Sequence, residues 1–249
     1  DVVMLCVKGY HTASAIEGAL CMVGPNTLVV SVQNGIGNVE AISRHVPMEQ
    51  VVAGICVHSA MPIAPNEISH TGGQGPLIHI GSVSPSGETP LYKAFVTELT
   101  DKGADFASHA QIENLIWKKL IANVGINCVC AVTGLTSKHL LGQEDCVEFI
   151  TGLVHEVAAV ARAKGISLPV LEDPVAYVLS VLAVTGDNKV SMLQDMEARK
   201  PTEIGILNEA VVRLGKDLGI PTPLNRQVSQ IIRAKELCNA TMTVCKVAA

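Results

Sequence analysis

Three short runs of mostly apolar residues, rich in valine, leucine and isoleucine, lie at 2–7, 28–32 and 51–57 and constrain the fold of this chain more than any other feature. The segments between them, at 11–20 and about 38–45, have the pattern of helices. A strand with a continuous apolar run, rather than an alternating pattern, is buried on both faces, as in a parallel sheet covered by helices. The strand–helix–strand order therefore predicts an α/β domain with right-handed crossovers.

Beyond about residue 109 the apolar residues recur at helical spacing instead of in short runs. Helices are predicted at 112–130, 147–164, 172–183, about 190–198, 203–218 and 225–235, with a loose tail after them. In the first region, the glycine-rich segment 71–76 is interpreted as part of a hairpin or sheet edge, because Pro76 argues against a central strand. We expect an α/β domain over 1–109 and an all-helical domain over 110–249.

The composition excludes several classes of protein. The chain of 249 residues is 48% hydrophobic and 16% charged, which is not the composition of a disordered protein. A net charge of −5 offers no positive field for nucleic acid, and no apolar run approaches the ~18 residues of a membrane span. The eight cysteines form no C-x-x-C pair, so we expect reduced thiols in a cytoplasmic protein, without a metal site.

A polar stripe crosses the predicted helix 112–130. Lys119, Asn123 and Asn127 are spaced i, i+4 and i+8, which places them on one face of a helix that is otherwise apolar nearly all round. Such residues on a buried helix are costly unless partners satisfy them. The stripe faces solvent, ties helix ends together or lines a polar cleft. We favour the cleft, where a lysine can serve as a proton donor.

Polar residues also lie where predicted strands end and where helices begin. Lys8 follows the first strand and the segment Asn34–Gly37 follows the second, at the edge where a doubly wound sheet presents ligand-facing loops. Ser191 begins one predicted helix. Glu203 follows Pro201 at the start of another, so it is interpreted as either a helix cap or part of a polar site.

In this order, these motifs resemble those of the ketopantoate reductase (2-dehydropantoate 2-reductase) family, from residue 1 to about residue 236. The resemblance implies a Rossmann-like, doubly wound parallel sheet and a helical C-terminal domain. It also implies NADPH-dependent reduction of 2-dehydropantoate to (R)-pantoate, a step toward pantothenate and coenzyme A. The motifs that carry it are Val7-Lys8, Gln33-Asn34-Gly35-Ile36-Gly37, Trp117-Lys118-Lys119-Leu120 with Asn123 and Asn127, Ser191-Met192-Leu193-Gln194-Asp195, Thr202-Glu203-Ile204 with Asn208, and Gly219-Ile220-Pro221-Thr222-Pro223.

The resemblance also implies a role for each matching residue. Lys119 is then the general acid, which protonates the ketone oxygen as the nicotinamide delivers hydride to the adjacent carbon. Ser137 stands where the family has a further substrate-binding asparagine. The implied substrate contacts are Asn123, Asn127, Asn188 and Ser191, and the implied NADP contacts are Lys8, Asn34, Ala60 and Glu203.

The start of the chain departs from the family pattern. The resemblance leads us to expect a preceding glycine-rich phosphate turn, so we interpret 1–109 as a truncated nucleotide-binding domain, with 2–7 a middle strand of its sheet. Two other functions compete with the reductase: a catalytically impaired relative that serves as a binding or structural module, and a reductase of another small 2-oxo acid. The expected partners are a small 2-oxo acid and, as one option, a second copy of the chain.

Overall fold

The computed structural model describes residues 1–73 and 75–247, which divide into one compact unit of residues 1–116 and a second that begins at Trp117. The strands are β1 (Val2–Leu5), β2 (Leu28–Ser31), β3 (Val51–Cys56), β4 (Ser59–Ala64), β5 (Glu67–Gly72), β6 (Ile78–Ser82) and β7 (Phe106–Ser108). The helices are α1 (Thr12–Ala19), α2 (Asn38–Ser43), α3 (Pro90–Asp101), α4 (Ile112–Thr133), α5 (Ser137–Leu141), α6 (Glu144–Ala163), α7 (Pro174–Thr185), α8 (Ser191–Glu197), α9 (Asn208–Leu218) and α10 (Pro223–Val247).

The first unit is built on a five-stranded sheet with the order β1-β2-β3-β6-β7. Strands β1, β2 and β3 are parallel, β6 is antiparallel to β3, and β7 is parallel to β6. One face packs against Ile16 of α1 and Ile42 of α2, and the other face packs against Tyr92 of α3. Helices thus cover both faces, which confirms the predicted doubly wound α/β fold.

Strand β1 lies at one end of the described sheet, where the sequence predicts a middle strand. Its partner in the described part of the chain is β2. Leu5 is buried in the core beneath α1 and α2, with Val3 packed against it, whereas Val2 and Met4 are 43% and 47% exposed. Because successive residues of a strand point to opposite faces, β1 is covered by helices on one face only.

The hairpin differs from the predicted one in its position. Strands β4 and β5 pair with each other in a separate two-stranded sheet. Their turn contains Asn66, which has a positive φ of 65°. The glycine-rich segment 71–76, which we predict to separate two paired strands, instead leads from this hairpin to β6 in the main sheet.

The second unit is all-helical, as predicted, and α4 is its longest buried element. By length and composition α4 could cross a membrane, so the expectation that no apolar stretch reaches about 18 residues is wrong for this helix. However, 67% of its most apolar stretch is buried within the protein, which is the behaviour of a core helix.

Two helix boundaries of the second unit also differ from those predicted. The segment predicted as one helix from Glu203 contains a 3₁₀ turn at Ile204–Ile206, and α9 begins only at Asn208. Between them, Leu207 has φ −105° and ψ −103°, which is not helical. Helix α10 continues to Val247, where the sequence predicts a loose tail.

Candidate functional site

The ends of two adjacent parallel strands bring Lys8 and Asn34 to one edge of the sheet. Leu5 pairs with Ser31 in the register of β1 and β2, so the residues that follow both strands emerge on the same side. Lys8 is half-buried and occupies the N-cap position of a 3₁₀ turn at Gly9–His11, where its carbonyl oxygen accepts from the amide of His11 at 2.8 Å. Asn34 is also half-buried, and this edge is where open α/β sheets bind ligands.

A buried polar network fixes these two strand ends to each other. The Gln33 side chain donates from Nε2 to the carbonyl oxygen of Val7 at 2.8 Å and to Oγ1 of Thr12 at 2.8 Å. Thr12 Oγ1 lies 2.9 Å from Oδ1 of Asn38, and Asn38 donates from Nδ2 to the carbonyl oxygen of Asn34 at 2.9 Å. The network therefore positions both Lys8 and Asn34.

Sequence analysis missed the positioning role of Gln33, Thr12 and Asn38. The available signal was a glutamine directly after a fully apolar strand, because a buried polar side chain requires hydrogen-bond partners. Gln33 is indeed 7% exposed. Ala60, the third predicted cofactor contact of this unit, lies exposed in β4 of the separate hairpin, opposite His70.

In the second unit the polar stripe lies on the single continuous helix α4. Lys119 and Asn123 are half-buried, and Asn127 is only 5% exposed. The structure gives the side chains of Asn123 and Asn127 no hydrogen bond to any residue that it describes. They therefore do not tie helix ends together in the described part of the chain, and both amides are available to a ligand.

The opposite side of α4 is packed into the helical core. A Cβ on Gly125 would lie 2.7 Å from Cγ2 of Val154 in α6, so the backbones of α4 and α6 approach closely at this point. Asn208, at the start of α9, donates to the carbonyl oxygen of Val124 at 3.1 Å and to Oδ1 of Asn225 at 3.0 Å. These contacts fix the side of α4 that lies opposite the polar stripe.

The lysine that precedes Lys119 is engaged elsewhere. Lys118 Nζ lies 5.6 Å from the ring centroid of Tyr177 in α7, within the range of a cation–π interaction. The Tyr177 hydroxyl donates to the carbonyl oxygen of Lys118 at 3.3 Å, and burial raises the pKa of Tyr177. Lys118 therefore points toward Tyr177 of α7, and Lys119 is the lysine of the polar stripe.

Asn188 and Ser191 flank the start of α8. Asn188 is exposed in the preceding loop, and Ser191 is the first helical residue, with no hydrogen bond from its hydroxyl to a described residue. Lys189, between them, binds both carboxylate oxygens of Glu197 at 2.8 Å, which closes this loop against α8. The structure thus places the two predicted substrate contacts beside each other.

Glu203 is 5% exposed and lies just before the 3₁₀ turn. It is the N-cap residue of that turn, and its carbonyl oxygen accepts from the amides of Ile206 and Leu207 at 3.1 and 3.2 Å, whereas its side chain makes no capping hydrogen bond. Thr202 also holds the turn, because its Oγ1 accepts from the amide of Ile204 and its amide donates to Glu236 at 2.7 Å.

The cysteines and histidines form no metal centre in the described ranges 1–73 and 75–247, where no group of three or more potential ligands converges. Burial raises the pKa of Cys128 to about 12 and that of Cys130 to about 11. Both side chains are therefore neutral thiols near neutral pH.

Two family models match most of the chain. Residues 1–85 match the model described as "Ketopantoate reductase PanE/ApbA", and residues 111–236 match "Ketopantoate reductase PanE/ApbA C terminal". The 2-dehydropantoate 2-reductase of Halobacterium salinarum is 31% identical over 234 residues, which are 94% of this chain and 75% of that protein.

Solved structures share the fold. A PanE/ApbA family ketopantoate reductase from Ralstonia eutropha superimposes with a TM-score of 0.83 at 29% identity, covering 96% of this chain and 77% of that one. A D-mandelate dehydrogenase in complex with NADH and anilino(oxo)acetate gives a TM-score of 0.87 over 96% of this chain and 77% of that one, and its 23% identity shows the fold alone. From the two family models and the related reductases, this chain belongs to the ketopantoate reductase family of oxidoreductases.

Proposed function

We propose that this protein reduces 2-dehydropantoate to (R)-pantoate with NADPH, and that Lys119 is the general acid. The observation that carries the proposal is the stripe on α4, where Lys119, Asn123 and Asn127 share one face of a core helix. The side-chain amides of the two asparagines make no hydrogen bond to a described residue, so a ligand can supply their partners.

In this proposal each residue of the second unit has one task. When bound, the nicotinamide supplies the hydride that adds to the ketone carbon. The Lys119 ammonium stabilises the negative charge that develops on the ketone oxygen, and then transfers a proton from Nζ to it. Asn123, Asn127 and Asn188 bind the polar groups of the substrate, and Ser191 binds its carboxylate.

The cofactor contacts are proposed in both units. Lys8 and Asn34 fit a cofactor because the Gln33 network fixes them at the ligand-binding edge of the sheet. Ala60 and Glu203 complete the set. A nicotinamide cofactor is supported by the NADH in the D-mandelate dehydrogenase complex, and the choice of NADPH rests on the family resemblance. In this proposal residues 1–109 bind the cofactor and 110–249 the substrate.

A second candidate is a reductase of another small 2-oxo acid. Ser137, where the resemblance expects a substrate-binding asparagine, is fully buried at the start of α5. It therefore presents no side chain to a substrate, and one expected contact is missing.

We also propose that the protein forms a homodimer. Light scattering, which measures the mass of the particle in solution, tests this proposal.

The decisive experiment is a substrate panel followed by the absorbance of NADPH. We expect 2-dehydropantoate to be the best of several 2-oxo acids, and Lys119→Ala to lower kcat by about 10²–10⁴-fold with little change in NADPH affinity. A faster reaction with another 2-oxo acid would favour the second candidate. Unchanged turnover in Lys119→Ala would exclude Lys119 as the acid, and NADPH binding without any turnover would favour an impaired relative.

A further inference from the structure

The glycine-rich loop after β5 is closed by a histidine that the proposed mechanism does not use. His58 Nε2 lies 3.0 Å from the carbonyl oxygen of Gly75, and His58 Nδ1 lies 2.9 Å from Nε2 of His70. A carbonyl oxygen can only accept, so His58 donates from Nε2, and its neutral Nδ1 accepts the hydrogen bond that His70 donates. His70 therefore donates a hydrogen bond to His58, and His58 donates one to Gly75.

The backbone of this loop is shaped to fit the His58 ring. A Cβ on Gly73 would lie 2.4 Å from two carbon atoms of the imidazole, so a side chain at this position could not coexist with the ring. Gly73 and Gly75 have φ values of 142° and 74°, which residues with a side chain rarely adopt. The glycines thus allow the loop to approach the His58 ring. This packing accounts for the glycines of the segment, so a bound phosphate is not needed to explain them.

The same bonds fasten both ends of the hairpin that carries Ala60. His58 directly precedes β4, and Gly75 follows β5 by three residues. His70 lies in β5 and is the cross-strand partner of Ala60. The position of Ala60 is therefore set at the base of the hairpin, by His58, as well as by the pairing of its strands.

We infer that His58 is a positioning residue for the cofactor, because its hydrogen bonds to His70 and Gly75 hold the hairpin so that Ala60 can contact the bound nicotinamide nucleotide. The inference rests on the proposed function, in which Ala60 is a cofactor contact.

Other polar side chains lie near the pair. His79 on β6 lies 2.7 Å from His109, measured from Nδ1 to Nε2. The Cys56 thiol donates to the carbonyl oxygen of His58 at 3.6 Å, which is a further contact of the segment that leads into β4.

The test compares His58→Phe with a matched control, His155→Phe, on the exposed side of α6. Phenylalanine keeps a flat ring against Gly73 but removes both hydrogen bonds. We expect His58→Phe to raise the Kd of NADPH about tenfold, because both hydrogen bonds at the base of the hairpin are lost. The control should bind NADPH like the wild type.

Hydrogen exchange of the β4 and β5 amides gives a readout that is independent of the cofactor. Faster exchange of these amides in His58→Phe, in a protein whose circular dichroism is unchanged, would support the inference. If wild type and His58→Phe bind NADPH equally and exchange the β4 and β5 amides equally, the inference alone fails. If the wild type does not bind NADPH, the proposed function fails and the inference fails with it.

Discussion

At the scale of single residues, Asn127 and Asn208 are two buried asparagines of one unit with opposite surroundings. Asn127 makes no hydrogen bond to a described residue, whereas Nδ2 of Asn208 donates to the carbonyl oxygen of Val124 and to Asn225, although Oδ1 of Asn208 is buried without a partner among the described residues. Hydrogen bonds made inside the protein contribute to its stability, and an amide that awaits a ligand contributes to binding. The two residues should therefore respond differently to the same substitution.

We predict that Asn127→Leu raises KM for 2-dehydropantoate about tenfold and leaves the free energy of unfolding unchanged or slightly higher. Asn208→Leu should instead lower the free energy of unfolding by about 1–3 kcal/mol, because it removes the hydrogen bonds that Nδ2 of Asn208 donates to the carbonyl oxygen of Val124 and to Oδ1 of Asn225. Urea denaturation and steady-state kinetics measure both effects. A loss of stability in Asn127→Leu equal to that in Asn208→Leu would show that Asn127 is structural.

The lowered pKa of His79 predicts how the free energy of unfolding depends on pH. Its pKa in the folded protein is lowered from the ordinary 6.5, first by burial and then by His109 and His58. The unfolded chain therefore binds more protons than the folded one below about 6.5, so the free energy of unfolding should fall as the pH decreases through this window. His79→Gln should show a weaker decrease in denaturation experiments. An equal decrease in wild type and His79→Gln would assign the effect to other groups.

At the scale of elements, the structure explains why α4 can carry polar residues on one face and remain a core helix. Gly125 brings the backbone of α6 against the side of α4 that lies opposite the stripe. Lys235 of α10 donates to the carbonyl oxygens of Ala131 and Val132 at 2.8 Å, which satisfies the last turn of α4. The helix is thus fixed without the help of its polar face.

We predict that Gly125→Val destabilises the protein by about 1–3 kcal/mol, because the added methyl groups would overlap with Val154. Gly18→Ala in α1 is the matched control, since nothing lies within 4 Å of its added Cβ. That substitution should stabilise the protein by about 0.5–1 kcal/mol through helix propensity. Thermal unfolding compares the two variants, and an unchanged melting temperature in Gly125→Val would contradict the close packing of α4 and α6.

The elements that could be predicted from the sequence are those with a periodic signal. The runs 28–32 and 51–57 are predicted as strands because they are apolar almost throughout rather than at alternate positions, and the stripe on α4 is predicted by its spacing. The start of α9 could not be placed, because Leu207 leaves the helical conformation where Asn208 turns toward α4, which is a tertiary effect. The His58–His70 pair is similarly hidden, since it depends on the register of β4 and β5.

At the scale of the whole molecule, the residues proposed for function divide between the two units. Lys8, Asn34 and Ala60 belong to the first unit, and Lys119 and Glu203 belong to the second. The fold class could be predicted because strand and helix patterns occupy separate parts of the chain. The buried networks that position the site could not, because their members are distant in sequence.

The network behind α4 has a consequence for how the protein is made. Asn208 bonds to Val124, 84 residues earlier, and Asn225 bonds to Leu153, 72 residues earlier. Glu156 of α6 binds the amides of Leu224 and Asn225, which begin α10. A ribosome that has released α4 and α6 but not α10 therefore holds helices whose buried polar groups still lack their partners. The second unit should complete its core only after α10 has left the ribosome.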